Sequence, residues 1–522
     1  LGLDIDGPTD LDPDNRTSGF VSVGASFSTV SPIGVEKYEV AAFDIAAQAI
    51  TQGGEALTGC SGAPVSPAAS TCVDNACPAA DGWVLCALEG ATCELDGTYE
   101  LAYGGDDLFF YGEAEGSFVC GNGLLGDPAP GLNKGCWVRP AGATGYDTGC
   151  LERFVQDYGR RFFRRPLSAE ESGRYVALGQ RATEALRQPM AAFEYVLASF
   201  LQSPAFLFRA EVGAEGGRYA GYELASRLAF VLWNQTPDDL LLDAAGAGEL
   251  ETQDGLIAQV DRMLASDRAR EGIRNFFMEM LHTNEVLSAD KDAETFPDFD
   301  EALRRAAFEE TLLLTEHWTF DLDADYRDLF TTPRTFLNDA LADHYDVTLP
   351  AGSGATHEAV ELPDGPRRGL LSHTSILATY AHGGQTSAAL RGRFVRQALL
   401  CGRIPDPPPE VSTVFPPSDA PTLRERVEAH LNNPGCTSCH ALMDPVGLGL
   451  ENFDAIGRYR RDENGATIDA SGELDGDLFA DAADLGRAVS EHEDLPECLT
   501  RNLLRYATGE LESDFQYAEI AR

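Results

Sequence analysis

The segment Cys436-Thr-Ser-Cys439-His440 constrains the fold of this chain more than any other feature of its sequence. It has the C-x-x-C-H pattern, in which two cysteines separated by two residues are followed at once by a histidine. In such a segment both thiols bond the vinyl groups of one porphyrin, and the histidine binds its iron. Because the two thiols must reach neighbouring edges of one ring, we expect the segment to lie on helical turns. The sequence therefore predicts one covalent haem c, held by Cys436, Cys439 and His440.

Two other kinds of site use closely spaced cysteines. A zinc site needs a second pair of ligands, and the other cysteine-rich stretch lies far upstream without a clean C-x-x-C. A thioredoxin-like dithiol opens a helix within a βαβ pattern, and no such pattern surrounds residue 436. The extra histidine therefore favours haem over both alternatives.

The charge of the chain restricts its partners. Its 522 residues include 39 Lys and Arg against 84 Asp and Glu, a formal net charge of −45. Such a surface repels nucleic acid and anionic lipid, whereas it attracts cationic partners and divalent ions. No apolar run approaches the ~18 residues that a transmembrane helix needs. The chain starts at Leu1 without a signal-like segment, which is typical of a mature or trimmed form.

The twelve cysteines indicate an oxidising compartment. Eight of them lie in a Gly- and Pro-rich stretch, at Cys60, Cys72, Cys77, Cys86, Cys93, Cys120, Cys136 and Cys150. An even cluster of this kind predicts disulfides, although spacing alone leaves their pairing open. Cys401 and Cys498 are a further candidate pair. Since haem c is attached after export in bacteria, both features predict an extracytoplasmic protein, whether periplasmic, on the outer surface or secreted.

The sequence predicts a mainly α protein with a small disulfide-stapled β-rich insert. We predict an N-terminal helical segment with an acidic loop at 1–59 and a Cys-rich β-insert at 60–150. Helical domains follow at 151–215 and 216–350, where apolar residues recur at helical spacing. A helical, cytochrome c-like haem c domain occupies 351–522.

The acidic loop near the N-terminus is compatible with calcium binding. Its aspartates are Asp4, Asp6, Asp10, Asp12 and Asp14. The closing glutamate of an EF-hand loop is missing. A solvated acidic loop is the alternative.

The region from about residue 147 to the end resembles a family of large secreted bacterial c-type cytochromes. They are found in planctomycetes and myxobacteria and are built from serial domains of unknown function. The matching segments are RRFFRRPL at 160–167, ASRLAFVLWN at 225–234, RGLL at 368–371, RGRFV at 391–395, CTSCHALMDPVG at 436–447 and ENFDAIGR at 451–458. The resemblance implies secretion and one covalent haem, and it implies no substrate.

Residues 86–138 are similar to a small disulfide-rich β-module of secreted polysaccharide-active proteins. The similarity rests on Cys86, Cys93 and the segment CGNGLLGDP at 120–128. It implies glycan binding through the insert, and a purely structural staple is the alternative.

The sixth ligand of the iron decides what the haem can do. No methionine follows Met443, and Met443 itself lies so close to His440 that it should stay on the same side of the ring. His382 precedes two glycines on a predicted loop, so we consider it as distal ligand or distal acid–base group. An exposed loop histidine is the alternative.

Basic side chains near the motif are candidates to hold the haem propionates. Arg391 and Arg458 are our candidates, because arginine makes bidentate contacts with carboxylates. Salt bridges to the many acidic residues are the alternative. We also expect Asp444-Pro445 and Gly447 to shape the turn that leaves the haem helix.

Three functions remain open at this point. With a sixth ligand the protein would carry electrons to and from a redox partner protein. With an open distal site it would be an oxidative enzyme of peroxidase or oxygenase type. As a third alternative, the haem would serve a secreted binding or structural protein. We favour electron transfer.

Overall fold

The computed structural model describes residues 3, 5–8, 11, 16–25, 32–59, 83–105, 108–140, 148–186, 188, 190–209, 211, 213, 219–349, 354–405, 420–431 and 434–513. The chain divides into two compact units. The first comprises residues 1–13, 30–226 and 236–255, and the second comprises residues 14–29, 227–235 and 256–522. The five sequence segments remain a prediction of domain boundaries.

The described helices account for most of the regular structure. They are α1 Val21–Ala25, α2 Pro32–Thr58, α3 Asn122–Leu125, α4 Thr148–Phe163, α5 Ala169–Leu186, α6 Ala191–Leu201, α7 Pro204–Leu207, α8 Gly221–Trp233, α9 Asp239–Gly246, α10 Gln253–Leu264, α11 Arg268–Leu281, α12 Glu301–Glu316, α13 Asp339–Tyr345, α14 Thr374–Thr379, α15 Ala388–Phe394, α16 Leu423–Leu431, α17 Pro434–Leu448, α18 Ala482–Glu491 and α19 Asp494–Thr508. A π-helical turn, Val395–Leu399, continues α15. None of the described helices is long and apolar enough to cross a membrane.

The strands are short and form small sheets. They are β1 Val84–Leu88, β2 Thr92–Gly105, β3 Leu108–Val119, β4 Gly135–Pro140, β5 Arg334–Leu337, β6 Glu358–Glu361, β7 Asp462–Glu463, β8 Ala466–Thr467, β9 Gly472–Leu474 and β10 Asp477–Phe479. The predicted mainly α fold with a small β-rich insert is therefore confirmed.

The helices of the first unit pack around aromatic side chains. Phe154 of α4 meets Phe193 of α6 edge to face, with ring centroids 5.1 Å apart. Helix α5 begins with the reciprocal capping pattern that its sequence predicts. The Ser168 amide donates to the Glu171 carboxylate at 2.8 Å, and the Glu171 amide donates to the Ser168 hydroxyl at 3.2 Å. Two orphan amides at the helix start are thereby satisfied.

The β-insert is a four-stranded antiparallel sheet of order β1-β4-β2-β3. Two disulfides hold it, Cys86–Cys93 between β1 and β2 and Cys120–Cys136 between the end of β3 and β4. The predicted staple is thus confirmed for these four cysteines. Cys60, Cys72 and Cys77 lie outside the described residues, as do Asp4, Asp10, Asp12 and Asp14 of the acidic loop. Asp6 is described and exposed.

The second unit has a large aromatic and aliphatic core that includes a piece of the N-terminal chain. Phe20 is fully buried, and its ring lies 6.0 Å from that of Phe276 on α11. The disulfide Cys401–Cys498 ties the end of the α15 segment to α19, as the sequence analysis suggested. This cross-link closes a loop of about a hundred residues and so restricts the unfolded chain.

Arg391 of α15 is wholly buried and binds main-chain oxygens. It donates through Nη1 to the carbonyls of Leu450 (2.7 Å) and Phe453 (2.8 Å). Through Nη2 it donates to those of Asp454 (2.7 Å) and Leu377 (3.3 Å). Burial lowers the pKa of Arg391 to about 10. The Arg391 side chain therefore connects α15 to the chain that follows α17 by hydrogen bonds. In this arrangement it binds main-chain carbonyls, whereas the sequence predicted a contact with a haem propionate.

A second buried polar cluster lies between α12 and α14. Glu310 is fully buried and accepts hydrogen bonds from Thr335 and Tyr345, both at 2.6 Å. His373 lies 3.7 Å from its carboxylate. Burial raises the pKa of Glu310 to about 7 and lowers that of His373 to about 3. Both groups are therefore neutral in the folded core between about pH 3 and pH 7.

The Glu310 carboxyl makes stability fall as the pH rises. Its folded pKa of about 7 exceeds its usual value of 4.5, so between these values the folded state binds more protons than the unfolded one. This stabilisation is complete below the unfolded pKa and is lost through pH 7. We expect Glu310→Gln to gain roughly 1–3 kcal/mol relative to the parent protein between pH 5 and 8. Urea unfolding of both proteins across this range measures it, and a constant difference would contradict the assignment.

Replacing Arg391 tests whether this buried arginine contributes more to the free energy of unfolding than an exposed arginine does. We expect Arg391→Met to lower the free energy of unfolding by about 3 kcal/mol or more, because several buried carbonyls lose their donor. Arg458→Met is the matched control. Its guanidinium is 40 % exposed and pairs with Asp298 at 3.0 Å, so a change of about 1 kcal/mol or less is expected. Equal urea midpoints for the two variants would contradict the structural role of Arg391.

Candidate functional site

The C-x-x-C-H segment lies on helix α17 of the second unit. Pro434 is its first helical residue, where a missing amide hydrogen costs nothing. The backbone of Cys436 is helical. Cys439 is half-buried and not disulfide-bonded, and its Sγ lies 3.3 Å from the carbonyl oxygen of Pro405. The helical turn predicted for the motif is therefore present.

His440 is held by a carboxylate one turn further along the helix. Its Nδ1 lies 2.9 Å from Oδ2 of Asp444, an i, i+4 pair. Asp444 is only 1 % exposed, and its Oδ1 has no hydrogen-bond partner among the described residues. The hydrogen bond to Asp444 raises the pKa of His440, with burial acting in the opposite direction. Since Nδ1 is engaged in this way, Nε2 is the nitrogen through which His440 would bind a metal.

Helix α17 continues through the segment that we expected to turn. Pro445 lies inside the helix, which ends at Leu448. Asp444-Pro445 therefore does not form the predicted exit turn. The close packing of α17 on a neighbouring helix outweighs the local preference of proline.

That neighbour is α15, and two glycines allow the contact. A Cβ on Gly392 would lie 1.8 Å from the carbonyl oxygen of Met443, and one on Gly447 would lie 1.8 Å from that of Ala388. The helices are therefore antiparallel and almost touch through their backbones. At the other end of this contact, Nε of Arg396 donates to the Leu442 carbonyl at 3.1 Å.

The structure does not bring His382 to His440. Ala388, six residues beyond His382, packs on Gly447, which lies about two helical turns from His440. His382 is exposed on a loop closed by the bridge between Ala381 and Thr386. Its carbonyl accepts a hydrogen bond from the buried Lys291 at 3.0 Å. His382 thus lies at the opposite end of the helix pair.

The two predicted propionate ligands are also engaged elsewhere. Arg391 is wholly buried and donates to carbonyls through Nη1 and Nη2, while its Nε has no hydrogen-bond partner among the described residues. A propionate contact would require this side chain to leave those carbonyls. Arg458 is partly exposed and pairs with Asp298, which is the salt-bridge alternative considered from the sequence.

Pro405, the residue whose carbonyl contacts Cys439, is one of the residues that line a cavity of about 870 Å³. Its lining includes the side chains of Arg393, Arg403, Arg501 and Arg505. The last two pair with the carboxylate of Glu512, both at 2.6 Å. In a chain of such negative charge this cavity concentrates positive charge.

These residues fit a covalent haem. Cys439 offers a thiol outside any disulfide, and the adjacent imidazole is oriented by a buried carboxylate, as metal-binding histidines commonly are. In the described residues no group of three or more His, Cys, Asp or Glu side chains could hold a metal ion by itself. Cys439 and His440 thus place a thiol beside an oriented imidazole, the kinds of group that attach and ligate haem c.

Sequence reasoning missed two partners of the motif. The spacing of His440 and Asp444 would have revealed their contact once the helix was extended past Pro445. The contact of Pro405 with Cys439 has no sequence pattern, because it joins segments 34 residues apart.

Comparison with protein families gives three matches. Residues 150–211 match PSD5, a protein of unknown function (DUF1595). Residues 220–347 match PSD4, a protein of unknown function (DUF1592). Residues 367–463, which include the C-x-x-C-H segment, match PSCyt3, a protein of unknown function (DUF1588). No curated protein and no solved structure matches the chain. The three matched segments are similar to the domain families associated with cytochrome c in planctomycetes, which agrees with the resemblance seen in the sequence.

Proposed function

We propose that this protein is an extracytoplasmic c-type cytochrome that carries one haem and transfers electrons. Cys436 and Cys439 would form the thioether bonds, and His440 would bind the iron through Nε2. The observation that supports this most is the Asp444–His440 hydrogen bond of 2.9 Å next to an unbridged cysteine. Histidines that bind metals commonly donate their second ring N–H to a carboxylate, and this pair has that arrangement.

Covalent haem c supplies a one-electron iron couple to this site. The chain's own residues orient the ligand, pack the helix that carries it and shape the surroundings of the ring. The cavity beside Pro405 offers arginine side chains, which suit the carboxylates of a porphyrin. The disulfides fit export to an oxidising compartment. The acidic surface of the protein would favour a positively charged redox partner.

An oxidative enzyme is the second candidate, and two observations favour it. His382 lies on the loop before α15, and Ala388 of that helix packs about two helical turns from His440, which supports an iron that lacks His382 as its sixth ligand. A carboxylate behind the proximal histidine increases its electron donation, and strong donation from the proximal ligand favours O–O cleavage in other haem proteins.

Absorption spectra of the ferric and ferrous protein, with carbon monoxide added to the ferrous form, distinguish these functions. If the protein transfers electrons, we expect low-spin iron that does not bind carbon monoxide, because two protein ligands hold the iron. High-spin iron that binds carbon monoxide at once would contradict electron transfer and support the oxidative enzyme. A protein matured with the haem-attachment machinery and yet free of haem would contradict both.

His382→Ala is the matched variant for this experiment. We expect its spectra to equal those of the parent protein, since His382 lies at the far end of the α15–α17 pair. Conversion of the variant alone to a high-spin, carbon monoxide-binding form would identify His382 as the sixth ligand.

A further inference from the structure

We propose that Asp444 is a positioning residue for the iron, which fixes the ring of His440 and lowers the reduction potential of the haem. The inference rests on the proposed function, since it requires His440 to be the iron ligand. The proposed function says where the haem is attached, and this inference adds a residue that sets the reduction potential of the haem.

The first step is orientation. Asp444 and His440 lie four residues apart on α17 and therefore share one face of the helix. The Nδ1–H of His440 donates to Oδ2 of Asp444 at 2.9 Å. This fixes the tautomer in which Nε2 carries the lone pair, and it restricts rotation of the ring about its bond to Cβ. The ligand is thereby aimed before any metal is bound.

The second step is the burial of the carboxylate. Asp444 is 1 % exposed, and its Oδ1 receives no hydrogen bond within the described part of the chain. Within the described part of the chain, the hydrogen bond from His440 to Oδ2 compensates the buried carboxylate, so this bond is strong and weakly screened by water.

The third step is the effect on the electron. Reduction adds one electron to ferric iron and so removes one positive charge from the site. A nearby anion stabilises the ferric state more than the ferrous state. A histidine that shares its proton with a carboxylate is also a stronger donor, which acts in the same direction. Asp444 therefore makes the haem harder to reduce.

The neighbouring helix explains why the pair is kept in place. Gly392 of α15 lies against the backbone of Met443, directly before Asp444. Because the two backbones touch there, α17 cannot rotate to expose the carboxylate without breaking this contact. The position of Asp444 is thus set by helix packing and does not depend on its hydrogen bond alone.

The test compares carboxylate variants of the full-length holoprotein. Asp444→Asn removes the charge, and Asp444→Glu keeps it. Glu451→Gln is the control, because Glu451 is equally buried but its carboxylate bonds Thr386 and Arg460. Midpoint potentials are measured by spectroelectrochemistry.

We expect the equilibrium constant for reduction to rise about tenfold in Asp444→Asn, which is about 59 mV for a one-electron couple. Asp444→Glu should return toward the parent value, and Glu451→Gln should leave the potential within a small fraction of this shift. A parent-like potential in Asp444→Asn, with haem attached, would overturn the inference while leaving the proposed function intact.

A second measurement needs no variant. In parent protein labelled with ¹⁵N-histidine, the Nδ1–H of His440 should exchange slowly with water and resonate far downfield, as expected of a strong bond to a carboxylate. Rapid exchange would overturn the inference even if Asp444→Asn fails to fold. Absence of haem from the parent protein would refute the proposed function itself, which is a distinguishable result.

Discussion

The contact between helices α15 and α17 is the constraint on which the candidate site depends. Gly392 and Gly447 carry no side chain, so each helix presses its backbone against a carbonyl of the other, at Met443 and Ala388. Any larger residue would force the helices apart by more than packing tolerates. This contact fixes the direction in which α17 runs, and thereby the side of the unit on which His440 lies.

Arg391 stabilises the same arrangement by hydrogen bonds inside the core. Its guanidinium satisfies carbonyls at residues 377, 450, 453 and 454, which belong to segments before and after the two helices. The carbonyls of Leu450 and Asp454 also accept main-chain amides, from Phe453 at 3.1 Å and Gly457 at 3.2 Å. Loss of the guanidinium would cost about 1–3 kcal/mol for each buried carbonyl left without a donor. The Arg391 side chain therefore gives these carbonyls hydrogen bonds of the kind that main-chain amides give in a helix or sheet.

The sequence predicted the features that are local along the chain. The C-x-x-C-H helix and the capping pair of Ser168 and Glu171 both follow from spacing within a few residues. Arg391 could not be assigned in this way, because the carbonyls that enclose it come from distant loops and leave no mark in side-chain patterns. Asp444 was hidden for a different reason. Pro445 indicated a turn, whereas packing on α15 keeps the helix intact and brings the carboxylate under His440.

The central claim is that this helix carries a covalent haem, and the mass of the protein tests it most directly. The chain should be exported in a bacterium with cytochrome c maturation, then reduced and denatured before its intact mass is measured. The account predicts a gain of one haem that survives denaturation and maps to the peptide containing Cys436 and Cys439. An unmodified mass, with both of these thiols open to alkylation, would contradict the account.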